Sequence, residues 1–309
     1  VWYRAITKRW AIFNQDQASM PAGASFNVLI PATDSASFVQ VATEPRIAPY
    51  ATVLDHPLTN SQPSAIVFVT QNYNPGGSGG IHNNHHPGVG YADGTNVWVI
   101  FNEGLHDLPT DAAFNVLIPP VDTSVFAHTA TAASTTANWT EIDHPLTNDN
   151  PDAILLVTQN LDRGGPWARY NNHAIGVWYR ASTKKWAIYN QDLASMKTNT
   201  HFNVIVRSPG ADAFVHTATP ANSAGHWTDI DHPLSNGNPN ALLFVTQNYN
   251  PGGGSGVYND RAIGVWYRGG VGKWAIINQA ITGIPTGAGF NVVVIPRYKT
   301  YVPLVVRGS

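Results

Sequence analysis

The stretch Ala241-Leu242-Leu243-Phe244-Val245-Thr246-Gln247 decides the fold class. In an extended chain Leu242 and Phe244 share one face and Leu243 and Val245 the other, so a strand here is apolar on both sides and belongs between two layers. Working outward, Pro239 and Pro251 bound it, where their missing N–H costs no ladder hydrogen bond. Three further runs of strand length follow, Ile263–Arg268, Lys273–Asn278 and residues 290–295, rich in Val, Ile, Phe, Trp and Tyr and separated by Gly, Pro and Asn clusters. No window of helical periodicity is long enough to compete. The chain reads as all-β.

The same runs recur with a period of 88 residues. Phe-Asn-Val places its asparagine at Asn27, Asn115, Asn203 and Asn291, tryptophans keep step at Trp10, Trp98, Trp186 and Trp274, and Asp-His-Pro-Leu starts at Asp55, Asp143 and Asp231. Three and a half periods account for essentially all of the 309 residues. The divisions are a half-unit at 1–36, repeats at 37–122, 123–210 and 211–297, and a tail at 298–309. A fainter repeat lies inside each unit, since Trp227 and Trp274, and Ala241 and Ala288, are 47 residues apart. Halving the unit gives seven pieces of about 44 residues, the size of a four-stranded propeller blade.

Two architectures follow. The expectation we favour is a seven-bladed β-propeller, with the tail, Tyr301 at its start and Arg307 near its end, adding a strand to the first blade and closing the ring. The alternative is a row of 88-residue β-sandwich or barrel domains headed by an N-terminal half-domain. An orphan half would expose Trp2, Ile12 and Phe13, which favours closure unless another molecule covers its edge.

Composition removes several functions. There is no cysteine, so neither disulfides nor a thiol site is available. Seventeen basic against nineteen acidic residues give a net charge of -2 with no basic run, which excludes a nucleic-acid surface and an anionic membrane partner. No apolar stretch approaches the roughly 20 residues of a spanning helix, and no signal peptide precedes Val1, so the chain reads as processed or as a mature fragment. A polar surface resting on Asn, Thr, Ser and Gln points to an extracellular or cell-surface location.

Catalytic signatures are missing. There is no His-Glu-x-x-His, no Gly-x-Ser-x-Gly, and the glycine runs at 75–80 and 251–256 lack the Lys-Ser/Thr of a phosphate loop. Asp16 and Asp192 are matched by Gly104 and Ala280, so no unit gains a paired carboxylate. The expectation is a protein that is not an enzyme and needs no cofactor. His82, His85 and His86 have spacing that could ligate a transition metal, but their equivalents are Tyr170, His173 and Ala174, then Tyr258, Arg261 and Ala262, which favours no metal site.

Binding fits better than chemistry. His56, His144 and His232, with Asp55, Asp143 and Asp231, either tie down the turn before proline or offer a repeated polar contact. His128 and His216 match Gln40, which keeps hydrogen bonding without titration. Asn72, Asn160 and Asn248 end the apolar strand, and Tyr73 and Tyr249 follow two of them beside the glycine loops. Neutral amides next to an aromatic face suit a sugar, which needs donors and acceptors for its hydroxyls and a ring for its C–H face. The same amides could instead satisfy backbone groups at strand ends, and the four periodic tryptophans read as core.

Asp-His-Pro-Leu-x-Asn, Asn-Pro-x-Ala, Val-Thr-Gln-Asn-Tyr-Asn-Pro-Gly-Gly, Gly-Val-Trp-Tyr and Trp-Ala-Ile-x-Asn-Gln-Asp together resemble a bacterial family of tandem extracellular repeat domains with no assigned biochemical activity. The resemblance implies export and repetition, and carries over no site residue. The first complete repeat departs from the pattern at Gly90, for Trp, and at Glu103-Gly104, for Gln-Asp. The function expected is multivalent, lectin-like binding of carbohydrate or a cell-surface glycan. The alternative is a filament or sheath subunit that self-associates by strand addition between the tail and the N-terminal half-unit.

Overall fold

The computed structural model describes residues 2–4, 9–11, 19, 36–44, 48–161 and 169–297. They fall in two compact units, Val1–Thr33 and Asp34–Ser309. The first contributes β1 (Trp2–Arg4) and β2 (Arg9–Ala11), an antiparallel pair with Tyr3 opposite Trp10. In the second, repeat 1 forms β3 (Ala36–Val41), β4 (Ala51–Leu54), β5 (Phe68–Asn72), β6 (Pro87–Ala92), β7 (Val97–Asn102) and β8 (Ala113–Ile118). Repeat 2 forms β9 (Val125–Thr129), β10 (Thr135–Thr136), β11 (Trp139–Ile142), β12 (Ile154–Asn160), β13 (Ile175–Arg180), β14 (Lys185–Asn190) and β15 (His201–Arg207). Repeat 3 forms β16 (Ala213–Thr217), β17 (Ser223–Ala224), β18 (Trp227–Ile230), β19 (Leu242–Asn248), β20 (Ile263–Arg268), β21 (Lys273–Asn278) and β22 (Gly289–Ile295).

Each repeat is a sandwich of two half-sheets. In repeat 3, β16, β22 and β19 form one half and β17, β18, β21 and β20 the other, and their inner faces enclose a core that includes Leu243, Val245, Val265, Trp274, Phe290 and Val292. Repeats 1 and 2 enclose matching cores around Trp98 and Trp186. The three tryptophans are fully buried, and each indole N–H donates to a backbone carbonyl, of Gln62, Asn150 or Asn238, at 2.8–2.9 Å. The expectation that they are core residues holds.

The half-sheets of different repeats are joined edge to edge. β6 of repeat 1 runs parallel to β12 of repeat 2, β13 of repeat 2 parallel to β19 of repeat 3, and β20 of repeat 3 parallel to β5 of repeat 1. Three open mixed sheets of six or seven strands result, each shared by two repeats, and the order 1 to 2 to 3 closes back on 1. The outer faces of β5, β12 and β19 meet in a fourth core, where Phe68, Leu156, Leu242 and Phe244 pack together. The two-faced apolar stretch at 241–247 is therefore sandwiched, with Leu243 and Val245 in the core of their own repeat and Leu242 and Phe244 in the shared one.

The seven-bladed propeller is corrected by this arrangement, and the tandem 88-residue sandwich is the form the chain takes. The faint half-unit repeat does not mark separate blades: its first half, β16, β18 and β19, and its second, β20, β21 and β22, each give strands to both half-sheets of one sandwich. Each half-sheet buries an inward apolar stripe against the other, so neither stands as a separate blade. Closure is made by β20 on β5, with Gly264 opposite Gln71 and Val265 opposite Asn72. The tail proposed to close the ring lies outside the described residues.

Side chains lock these joints. The Phe-Asn-Val asparagines cross between repeats, with the Nδ2 of Asn115, Asn203 and Asn291 donating to the carbonyls of Leu243, Val67 and Leu155 at 2.8–3.0 Å. The hydroxyl oxygens of Thr158, Thr246 and Thr70 accept the backbone N–H groups of Val69, Val157 and Val245 at 2.9–3.1 Å, a cycle through all three repeats. Asn74 bonds both the N–H and the carbonyl of Tyr267, and Asn250 does the same for Tyr179.

Candidate functional site

The Asp-His-Pro-Leu residues build a turn. In each repeat the N–H of Leu58, Leu146 or Leu234 donates to Nδ1 of His56, His144 or His232 at 3.1–3.4 Å, and the histidine ring stacks on Phe38, Phe126 or Phe214 with centroids 4.2–5.0 Å apart. Asn60, Asn148 and Asn236 accept the histidine backbone N–H and donate to Asp55, Asp143 and Asp231. Lys185 and Lys273 pair with Asp143 and Asp231 at 2.8 and 2.7 Å, and the lysine hydrogen bond first, the Asn148 or Asn236 hydrogen bond next and the lysine charge last hold those carboxyls below the usual range. The Nδ1 atoms of these histidines and one oxygen of each aspartate are thus engaged within the turn.

The strand-end amides face inward. Asn72, Asn160 and Asn248 are buried and donate to Asn115, Asn203 and Asn291 at 2.8–3.0 Å. Asn72 also borders a hollow of about 240 Å³ with Gly76, Pro239, Asn240 and Arg297. His128 and His216 bond the hydroxyls of Thr140 and Thr228 at 2.9 and 2.8 Å, and Gln40 reaches Thr52, so the histidine and glutamine share a packing role. Burial lowers both imidazoles to about 4.

The three histidines of the sequence cluster diverge. His82 bonds Gln279 at 3.1 Å and lies on Tyr73, His85 stacks on His106, and His86 is lowered to about 4, by burial first and then by the neighbouring His173 and His85. Among the described residues no three His, Asp or Glu side chains converge to hold a metal.

The built surface is elsewhere, on the outer face of the sheets at the joints between repeats. At the joint of repeats 2 and 3, Trp139 on β11 and Trp178 on β13 flank Arg180, whose guanidinium carbon lies 3.9 and 5.5 Å from their ring centroids. Arg180 pairs with Glu141, which also accepts the Thr183 hydroxyl at 2.7 Å. Tyr249 from repeat 3 meets Trp178 edge-on at 6.4 Å and packs on Tyr258 at 4.6 Å. The joint of repeats 3 and 1 repeats the arrangement with Trp227, Trp266, Arg268 and Asp229, where Arg268 bonds Asp229 at 2.6 Å. Tyr73 meets Trp266 edge-on at 6.1 Å, with His82 on its other side at 4.5 Å.

Each tyrosine is pinned by its glycine loop. A Cβ on Gly80 would lie 2.2 Å from the Tyr73 ring, and one on Gly256 would lie 2.3 Å from Tyr249. Only glycine lets the backbone cross the ring so closely. All four tryptophans are partly buried and keep some exposed surface, giving two aromatic shelves beside an arginine and an acid.

The joint of repeats 1 and 2 has none of this set. Ala51, Val53, Gly90 and Ala92 stand at the four equivalent positions, and Tyr170 meets Phe101 edge-on at 5.7 Å. Four residues distant in sequence are present together twice and absent together once. The sequence reading marked Gly90 as a departure but missed the other three. Comparing the repeats column by column would have found them, because the change falls at alternate positions of two strands, β4 and β6, that flank β7.

A family profile described as a domain of unknown function (DUF7452) matches residues 1–95, 88–206 and 176–294. These matches cover nearly the whole sequence, and the chain belongs to that family. No curated protein and no solved structure matches it.

Proposed function

We propose that this member of the DUF7452 family is an exported, non-enzymatic binding protein that holds carbohydrate on its two aromatic shelves. The observation that carries the reading is the joint retention of Trp139, Glu141, Trp178 and Arg180, and of Trp227, Asp229, Trp266 and Arg268, against their joint replacement at the third joint. A partly exposed tryptophan offers surface for the C–H side of a sugar ring, and the charge-assisted arginine–acid pair offers oriented donors and acceptors at its edge. Tyr73 and Tyr249, expected as ligand residues, retain that role at the shelf margins. The other candidates, Asp55, His56, Asn72, Asn160 and their equivalents, hold the scaffold.

Two weak sites on one rigid ring raise the affinity for a surface bearing many copies of a glycan. The test is a glycan array followed by titration of any hit. Two sites per chain are expected, Trp178→Ala should remove one with no change in melting temperature beyond a few degrees, and Trp178→Ala with Trp266→Ala should remove both. No hit at high protein concentration overturns the sugar reading.

One observation favours the filament alternative. β1 and β2 pair in the register of β13 and β14, with Tyr3 opposite Trp10 as Tyr179 is opposite Trp186. All three strands of the type of β5 already have a parallel partner within the ring, whereas β1 pairs only with β2 among the described residues. A spare hairpin could join another chain. Light scattering against concentration, with and without residues 1–33, separates the readings, because filament growth should require that segment.

A further inference from the structure

A cavity of about 70 Å³ lies where the three repeats meet, lined by Val69, Thr70 and Gln71 and their equivalents in repeats 2 and 3. These nine residues are the same three in every repeat. This part of the wall has threefold chemistry, and His86, His173 and Arg261 in the rest of the lining break it.

Its amides are oriented by the backbone. Gln71, Gln159 and Gln247 donate through Nε2 to the carbonyls of His85, His173 and Arg261 at 2.8, 3.3 and 3.1 Å. That choice leaves the three Oε1 atoms as acceptors, and all three are buried with no hydrogen-bond partner among the described residues. A buried acceptor without a donor is unfavourable, and here the same defect occurs once in each repeat. Thr70, Thr158 and Thr246 add three hydroxyl oxygens, each of which already accepts one backbone N–H.

We propose that this cavity binds one monovalent metal cation, of the size of sodium or potassium, between the amide oxygens of Gln71, Gln159 and Gln247 and the hydroxyl oxygens of Thr70, Thr158 and Thr246. Unpartnered buried oxygens are the complement of a cation. All six are neutral, and a divalent ion of the calcium type ordinarily brings carboxylates into its shell, so a single positive charge fits better. The mouth does not oppose entry. His86 is uncharged at neutral pH, and the Arg261 charge is met by Asp260 at 3.7 Å, with Asp192 close enough to push the Asp260 carboxyl upward after burial has done so. The ion would fasten all three repeats at once, a role independent of any sugar.

The experiment is thermal unfolding of the full chain in sodium, potassium and choline chloride at one ionic strength. Choline is too large for the cavity, so melting several degrees higher in one alkali salt is expected. Thr158→Val and Gln159→Leu should each reduce that difference. Crystals soaked in rubidium chloride give a second readout that does not depend on those variants folding, with an anomalous peak expected inside the cavity. Equal melting temperatures in all three salts, or rubidium peaks only at the surface, would show that water alone fills the axis and overturn the proposal.

Discussion

Glu103 stands where the other repeats carry Gln191 and Gln279, and the exchange sets up a pH dependence. Its carboxyl lies over Gly88, whose Cβ would come within 2.2 Å of it, and accepts the N–H of Asn171 at 2.9 Å, just as Gln191 accepts that of Asn259. Burial pushes the carboxyl up to about 8, against the opposing pull of the Asn171 N–H. The folded state therefore keeps a proton that the unfolded chain releases above its ordinary carboxylate value. Stability falls as pH rises from about 4.5 to about 8. Glu103→Gln should change little at pH 4 and raise stability by roughly 3 kcal/mol at pH 7, measured by denaturant unfolding. An equal gain at both pH values would mean that packing, and not the proton, is responsible. His128 and His216 act in the opposite sense, since their folded values near 4 lie below that of the unfolded imidazole, so stability falls as pH drops from about 6.5 to 4. His128→Gln with His216→Gln, which copies Gln40, should flatten the acid limb of the stability curve. At this scale the sequence showed which residues recur, but not which way they face. Asn72 and Tyr73 are adjacent, yet Asn72 closes β5 with its amide bonded in the interior and Tyr73, just past the strand end, lies on a shelf.

At the scale of elements, the repeats supply their own reference for backbone geometry. Ala137 precedes the start of β11 by two residues with φ 48°, and Gly225 takes the equivalent place before β18 with φ 58°. Alanine in the left-handed region is strained by about 1 kcal/mol, partly offset by the greater freedom of glycine in the unfolded chain. Ala137→Gly should therefore raise the melting temperature slightly, whereas Gly225→Ala should lower it. The reverse order in differential scanning calorimetry would place the strain elsewhere in the turn. Strand positions were legible because Ala241 to Gln247 and its neighbours have both apolar pattern and turn residues at their ends. The pairing of β20 with β5 was not legible, since Gly264 and Gln71 are joined by a parallel contact far apart in sequence that leaves no local pattern.

For the whole molecule, the decisive property is that each sheet belongs to two repeats. An open solenoid melts from its ends, because each repeat depends only on its neighbours. Here β5, β12 and β19 each need a partner strand from a different repeat, and the last repeat returns to the first, so the ring has no terminal repeat from which to fray. One cooperative transition is expected for Asp34–Ser309. The sharper consequence concerns chain order. By the 88-residue period, a link from residue 297 to residue 34 stands where 209 is followed by 210 and where 121 is followed by 122. A permuted chain that starts at 122, runs to 297 and continues directly with 34–121 would rebuild every sheet with no added linker. Circular dichroism and calorimetry should give the native strand content and a melting temperature within several degrees of the unpermuted 34–297 chain. Loss of the cooperative transition would mean that repeat 3 does not close on repeat 1 in solution. The row of separate sandwiches, headed by its half-unit, would then describe the assembled molecule, with the edge of β5 left for the hairpin of β1 and β2 in another copy.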